Sequence, residues 1–455
     1  MMKKLISMLL LCLFFLVQNL FAQQQQQQQP QQAQKQEQVQ APLLTLEDAV
    51  SIALKNNYNI QLAKNNTAIS AVNVSLGNAG YLPVLTANAS TSSSILNINQ
   101  TRADGTVNKI PRLHNSSNTY GPNINWTIFD GFAMFANYDQ LKQLNKLSEV
   151  QQRDTIQSTL TNVISTYYNL INQTQLILSL KEAIDISRLQ LHYALNRFNV
   201  GRAAKLEVLN AQVNFNTDTT NFLTQIQQFN TTKINFNRLL VRKLNEDFSV
   251  PDTIVIQKQP VLADVIAQAQ KYNPAILAAQ VNKRLNEINL KQVRALRYPV
   301  VGVSSGYGFS NSKTPAGFTQ TQNTRGLNYG LTASINIFDG FNQVRRERVA
   351  KLQINGANIR TNQIEQLVET QINALYIEFL SGLDLIRVGQ SNVEIARQNL
   401  NITLEKYRLG NITTLEVREA QRNYLDAKTR YFTNQYQTKL SEISLKEITG
   451  NISLN

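Results

Sequence analysis

The sequence predicts a mostly helical protein with a smaller β component, built twice from one plan. Three observations lead there. The chain repeats itself at a spacing of 209 residues; each copy holds two segments whose apolar residues recur at every second position; and each then holds a long segment whose apolar residues recur every three to four positions.

The repeat is clearest at Phe198-Asn199-Val200-Gly201 with Leu206-Glu207-Val208, answered by Tyr407-Arg408-Leu409-Gly410 with Leu415-Glu416-Val417. Phe129-Asp130-Gly131-Phe132 recurs as Phe338-Asp339-Gly340-Phe341, and Tyr167 as Tyr376. Pro83 answers Pro299 at a spacing of 216, so the first copy carries a longer loop between its proline and its Phe-Asp-Gly-Phe motif. The halves are placed at 42–243 and 261–450, joined by a polar connector at 244–260. Each reads as helix, strand pair, long helix, sharp turn, helix. The strand pairs fall at 82–129 and 298–338, the long helices at 132–199 and 341–408, and the return helices at 203–243 and 412–449.

The strands follow from a period of two. Leu327, Tyr329, Leu331, Ala333, Ile335 and Ile337 alternate with Asn328, Gly330, Thr332, Ser334 and Asn336; Tyr120, Ile124, Trp126 and Ile128 alternate with small or polar residues in the first half. Four strands of about 10–13 residues, apolar on one face and polar on the other, suit a bilayer-spanning barrel with a wet interior, and the pattern alone suits a soluble sandwich equally. The polar stretches 96–118 and 311–325 read as hairpin loops.

The helices follow from a heptad seam. Leu160, Val163, Tyr167, Leu170, Ile177, Ile184, Leu191, Leu195 and Phe198 step by threes and fours, and Ile372, Tyr376, Phe379, Leu383, Ile386, Val393, Leu400, Leu404 and Tyr407 repeat the pattern. No proline interrupts residues 123–250 or 316–455. A helix from about 133 to 198 reaches ~100 Å at 1.5 Å per residue and must pack along its length against others. Asp130 and Asp339 read as N-caps at the switch from strand to helix, Pro83 and Pro299 as the reverse switch, and Gly201 and Gly410 as terminators of the long helices.

Residues 1–22 have the basic start and apolar run of a secretory signal, and residues 23–41 form a glutamine-rich linker. The one cysteine, Cys12, lies in the signal, which excludes disulfides, thiol catalysis and cysteine metal sites from the mature chain. The net charge of +14 comes from 44 basic and 30 acidic residues spread along the chain, a solvated basic surface and not a nucleic-acid site. His114, placed in a loop, and His192, on a long helix, have no ligand spacing around them. With no phosphate loop, nucleophile elbow or zinc signature, the reading is a non-enzyme with no cofactor, metal or catalytic residue.

The duplication, the paired strands, the Phe-Asp-Gly junctions and the two aromatic-x-x-Gly…Leu-Glu-Val turns together resemble the TolC family of outer-membrane efflux ducts over nearly the whole mature chain. The resemblance implies a homotrimer in the bacterial outer membrane with a large periplasmic portion. Each chain would give four strands to a shared twelve-stranded β-barrel, and its antiparallel coiled-coil helices to a periplasmic α-barrel. Four strands cannot close a barrel alone, which is an independent reason for oligomerisation. The implied function is the passive exit duct of a tripartite efflux or type I secretion system. Its partners would be a periplasmic adaptor, an inner-membrane pump of RND, ABC or MFS type, and outer-membrane lipid, with no nucleic acid.

Implied by the same resemblance, Glu416 and Glu419, with Glu207 of the first copy, line the periplasmic mouth as gate residues. Val200-Gly201-Arg202 and Leu409-Gly410-Asn411 form tips that meet the adaptor. This chain departs from the family where a basic residue two places after the second tip glycine holds the mouth shut, because Ile412 stands there. Arg202 or Lys205 are the candidate substitutes. Two rival classes are a structural trimeric coiled-coil surface protein without transport, which the duplication argues against, and a soluble helical binding protein with a small sheet.

Overall fold

The computed structural model describes residues 42–450, so the expected signal and glutamine-rich linker lie outside the described residues. Its elements are α1 (Leu46–Asn56), α2 (Tyr58–Asn73), α3 (Leu76–Ala79), β1 (Val84–Thr101), β2 (Val107–Asp130), α4 (Ala133–Asn199), α5 (Lys205–Leu240), α6 (Leu262–Tyr272), α7 (Pro274–Ala295), β3 (Val300–Lys313), β4 (Thr321–Ser334), α8 (Asn342–Leu409) and α9 (Thr414–Ile448). Leu44–Glu246 and the chain from Val250 onward make one compact unit. Within a second, small unit, Leu43 and Ser249 form an isolated parallel bridge.

The leading helix of each half is broken in two by an asparagine. Asn57 and Asn273 sit in extended backbone, and each accepts from the two amides that open the following helix. Each also donates its side-chain amide across the fold, Asn57 to Leu239 O and Asn273 to Ile448 O, both at 2.9 Å. The cap ends one helix, starts the next and pins the far end of the return helix. The sequence reading placed one helix here, although asparagine is a preferred N-cap and the Asn273-Pro274 pair is itself a helix-start signal.

The four strands form one antiparallel sheet in the order β1-β2-β3-β4. They are longer than the period of two implied. β1 has 18 residues and β2 has 24, and the hairpin turns shrink to 102–106 and 314–320 where loops at 96–118 and 311–325 were expected. The Ser-, Asn- and Thr-rich rungs Ser92↔Ser117 and Asn311↔Asn323 pair as regularly as the apolar ones, because the ladder is made by the backbone. Alternation is needed only where one face meets lipid, about ten residues per strand. His114 therefore lies in β2 opposite Ile95 and not in a loop. A bulge between Leu96 and Ile98 places the Asn97 side chain to accept from the Arg112 amide at 2.9 Å. At the other end β4 stops at Ser334, short of 338, while β2 runs through to Asp130.

The strand-to-helix junctions are corrected too. Asp130 and Asp339 are not N-caps. The caps are Phe132 and Phe341, both left-handed (φ 70° and 64°) and without a side-chain cap bond, each behind a left-handed glycine. Two consecutive left-handed residues turn the chain before the helix starts, which leaves the aspartates two positions too early. A Cβ on Gly131 would meet Ala295 O at 2.3 Å, so the first junction also needs glycine for space. Asp339 instead accepts from Arg346 at 2.8 Å. Pro83 and Pro299 immediately precede β1 and β3.

At 67 and 68 residues, α4 and α8 each reach ~100 Å. One core cluster gathers Val265, Ala269, Ile276, Val368, Ile372, Phe379 and Leu445 where α6 and α7 meet α8 and α9. Gly382 lets α8 approach α9: a Cβ there would lie 2.2 Å from Thr438 Oγ1. The repeated tyrosines anchor the segments that lead into each half. Tyr167 donates to Leu44 O at 3.0 Å, burial pushing its phenol up to about 12, and the Tyr376 hydroxyl accepts from Gln259 at 2.9 Å. Among the described residues no helix is long and apolar enough to cross a membrane, and no cluster of candidate metal ligands occurs.

Candidate functional site

The two sharp turns are built alike. Gly201 (φ 71°) and Gly410 (φ 82°) are left-handed. In each, the glycine amide bonds back three residues (to Phe198 O, to Tyr407 O) and the next amide bonds back five (Arg202 to Arg197 O, Asn411 to Lys406 O). This double closure satisfies the last carbonyls of a long helix and turns the chain without spare loop. Val200, Gly201, Arg202, Leu409, Gly410 and Asn411 are all exposed or nearly so.

The helices leaving the turns start differently. In the second copy Thr413 and Glu416 form a capping box: the Thr413 amide donates to Glu416 Oε1 at 3.2 Å while the Glu416 amide donates to Thr413 Oγ1 at 3.4 Å. Glu416 thus caps α9 and stays exposed. Glu419, one turn on, is also exposed and pairs with Arg422 at 2.9 Å. The buried Val417, Ala420 and Gln421 form a separate stripe of the same helix, with Glu419 on the far side from it and Glu416 at its flank.

In the first copy the equivalent acid, Glu207, faces the other repeat. It pairs with Arg197 and accepts from the Tyr407 hydroxyl at 3.0 Å. The Arg197 guanidinium lies over the Tyr407 ring, 4.5 Å from its centre, and donates to Tyr407 O at 3.4 Å. Tyr407 is fully buried, and burial holds its phenol above the ordinary range, so it stays a proton donor to Glu207. The basic residue in this contact is Arg197, one turn before the first tip. Of the residues singled out from the sequence, Arg202 is exposed and Lys205 lies 5.3 Å from the Phe198 ring centre. Sequence reasoning missed Arg197; the signal was the mismatch with Lys406 at the repeat spacing.

This contact, between α4–α5 and the end of α8, is the last rung of a ladder whose other rungs join α4–α5 to α9. Behind it, Arg418 donates to both carboxylate oxygens of Asp218 at 2.8 Å, and Gln421 donates to Asp218 at 3.0 Å and to Ala183 O at 2.9 Å. Gln190 donates to Gln421 at 3.2 Å. Further back Glu182 accepts from Lys428 at 2.5 Å and from Tyr424 at 3.1 Å. From Glu182 to Arg197 the ladder covers ~22 Å of helix. Over that length the expected apolar seam gives way: Leu195 and Phe198 are exposed, while Ser187, Gln190 and Ala194 are buried. Polar groups joined across a low-dielectric seam fix one register and lose much when separated. The histidines take no part: His114 is exposed in its strand, and His192 bonds only Asn196 on its own helix.

A four-stranded antiparallel sheet, no membrane-length apolar helix among the described residues, and ~100 Å helices whose end turns are joined by part-buried polar bonds together match the organisation of an outer-membrane channel. The Campylobacter jejuni CmeC outer membrane channel has the same fold, with a TM-score of 0.74 over 89% of this chain and 85% of that one at 18% identity. Among sequence relatives, the outer membrane efflux protein BepC of Brucella suis is 20% identical over 90% of this chain and 86% of its own. The outer membrane protein TolC of Escherichia coli is 21% identical over 68% of this chain and 64% of its own. The model of the outer membrane efflux protein family matches residues 49–240 and 265–451, and the chain belongs to that family. It is an outer-membrane efflux channel with a large periplasmic helical portion.

Proposed function

We propose that this chain is one third of a homotrimeric duct, the passive exit of a tripartite efflux or type I secretion system, gated at its periplasmic tips. The observation that carries the trimer is the sheet. Its edge strands, β1 and β4, pair on one side only. In lipid both open edges need partners, and further copies of the same sheet supply them, three copies giving twelve strands. A periplasmic adaptor meets the tips at 200–202 and 409–411, and an inner-membrane pump of RND, ABC or MFS type supplies the energy.

The closed state is held within each protomer by the Arg197–Glu207–Tyr407 contact and the ladder behind it. Opening separates the α8–α9 pair from α4–α5 at that end. Glu416 and Glu419, both exposed on α9, form two rings of three carboxylates that favour cations in a narrow mouth. The Glu419–Arg422 pair is a surface pair and neutralises little of that field. The trimer in a planar bilayer tests this. Glu416→Gln/Glu419→Gln removes the charge while glutamine preserves the capping box. Cation preference falls if the rings act. An unchanged reversal potential in a salt gradient refutes the rings, and purification as a monomer refutes the duct.

A further inference from the structure

The junction between sheet and helices is built twice, and only one copy is basic. Lys291 and Arg294 close α7 and Arg297 follows it, while Arg345, Arg346, Arg348 and Lys351 open α8, with Glu347 the one acid inside those spans. At the repeat spacings the first copy has Ser75, Asn78 and Tyr81, then Ala136, Asn137, Asp139 and Lys142. The first copy makes the same left-handed strand-to-helix turn with only Lys142 of those charges, so that turn does not require them.

The two basic segments lie side by side. Gln343 donates to Val293 O at 2.6 Å, and Arg297 pairs with Glu347. Arg346 is taken by Asp339. Lys291, Arg294, Arg348 and Lys351 remain exposed, with no ion-pair partner among the described residues. Between them and the strand ends stand exposed aromatics: Tyr298 (51%) before β3, and Phe338 (74%) and Phe341 (73%) after β4. Along both strands the order on leaving the sheet is therefore aromatic, then basic. Aromatic rings settle at the level of lipid headgroups, and Lys and Arg just beyond them reach anionic phosphates.

We propose that Lys291, Arg294, Arg348 and Lys351 form a collar that binds the phosphates of anionic phospholipid at the periplasmic face of the outer membrane. The occupant is lipid because the charges begin where the membrane strands end. The inference rests on the outer-membrane reading of the chain.

The lone tryptophan, Trp126, provides the probe, since it sits near the helix end of β2, opposite Val303 of β3. The full chain is reconstituted in bilayers of phosphatidylcholine mixed with phosphatidylglycerol, one or the other carrying brominated tails, and quenching of Trp126 gives the relative affinity. The expected preference for phosphatidylglycerol is about fivefold, the effect of one well-placed basic residue. It drops to about one in K291Q/R294Q/R348Q/K351Q and partway in each of the double variants K291Q/R294Q and R348Q/K351Q, should the quadruple variant fail to assemble. R387Q, far along α8, leaves it unchanged. Equal quenching by both lipids in the native chain, or a preference that survives both double variants, overturns the collar but not the membrane assignment. Absence of quenching by either lipid overturns both.

Discussion

Replacing Asp218 with alanine removes the centre of the polar ladder. Asp218 is 1% exposed and receives three hydrogen bonds, two from Arg418 and one from Gln421. Without it, Gln421 keeps Ala183 O as an acceptor, and Arg418 keeps only Gln421 at 3.3 Å. Breaking a buried ion pair from one side costs about 3–5 kcal/mol. The Arg418 side chain is 25% exposed and regains some water, which puts the cost near the low end, about 3 kcal/mol. At 1.4 kcal/mol per factor of ten, the seam opens about a hundredfold more often. Hydrogen exchange on the reconstituted channel reads this directly. Amides of 183–197 and 416–424 exchange about a hundredfold faster, while those of α6 and the surrounding core cluster do not change. The repeat also supplies the repair. The positions equivalent to Asp218 and Arg418 are Ala427 and Leu209. Asp218→Ala/Arg418→Leu therefore exchanges the ion pair for apolar packing, and a large share of the protection returns. If Asp218→Ala leaves exchange at the tip unchanged, or accelerates it equally throughout the chain, the ladder is not the local lock.

Gly382→Ala forces a methyl against Thr438 and lowers stability by about 1–3 kcal/mol despite alanine's better helix propensity. Thr438→Ala in the same chain restores the melting temperature, whereas failure of that rescue would show that the close approach of α8 and α9 is not the cause. Gly131→Ala and Gly340→Ala both strain a left-handed residue at about 1–2 kcal/mol. Only the first also strikes backbone, at Ala295 O, so assembly is lost for Gly131→Ala and retained for Gly340→Ala; equal yields of trimer would refute this. Burial raises the Glu447 carboxyl, with Asp154 adding to the rise. A carboxyl raised in the folded state penalises folding once pH exceeds its unfolded value. Glu447→Gln therefore raises the melting temperature at pH 7.5, by an amount that vanishes as the pH falls through the carboxylate range.

Sequence alone determined whatever depends on local pattern and on its repetition. The apolar period separates ~100 Å helices from strands, glycine after an aromatic marks the tips, and matching the two copies shows that one unit is used twice. Those signals are local because hydrophobic period and left-handed glycine act within a few residues. Tertiary structure decided where polar side chains go. The sequence marks Glu416 by its Thr413-x-x-Glu416 capping pattern, which Ala204 breaks in the first copy, but gives no sign that Glu207 turns inward to Arg197 and Tyr407. The same holds for Asp218 and Arg418, 200 residues apart in the chain and 2.8 Å apart in the fold. The strands outran their alternation for a related reason: backbone bonds extend a ladder beyond the part whose side chains must meet lipid. The two tips are thus legible in the sequence as places, and only the packing of one repeat against the other shows which polar groups join them.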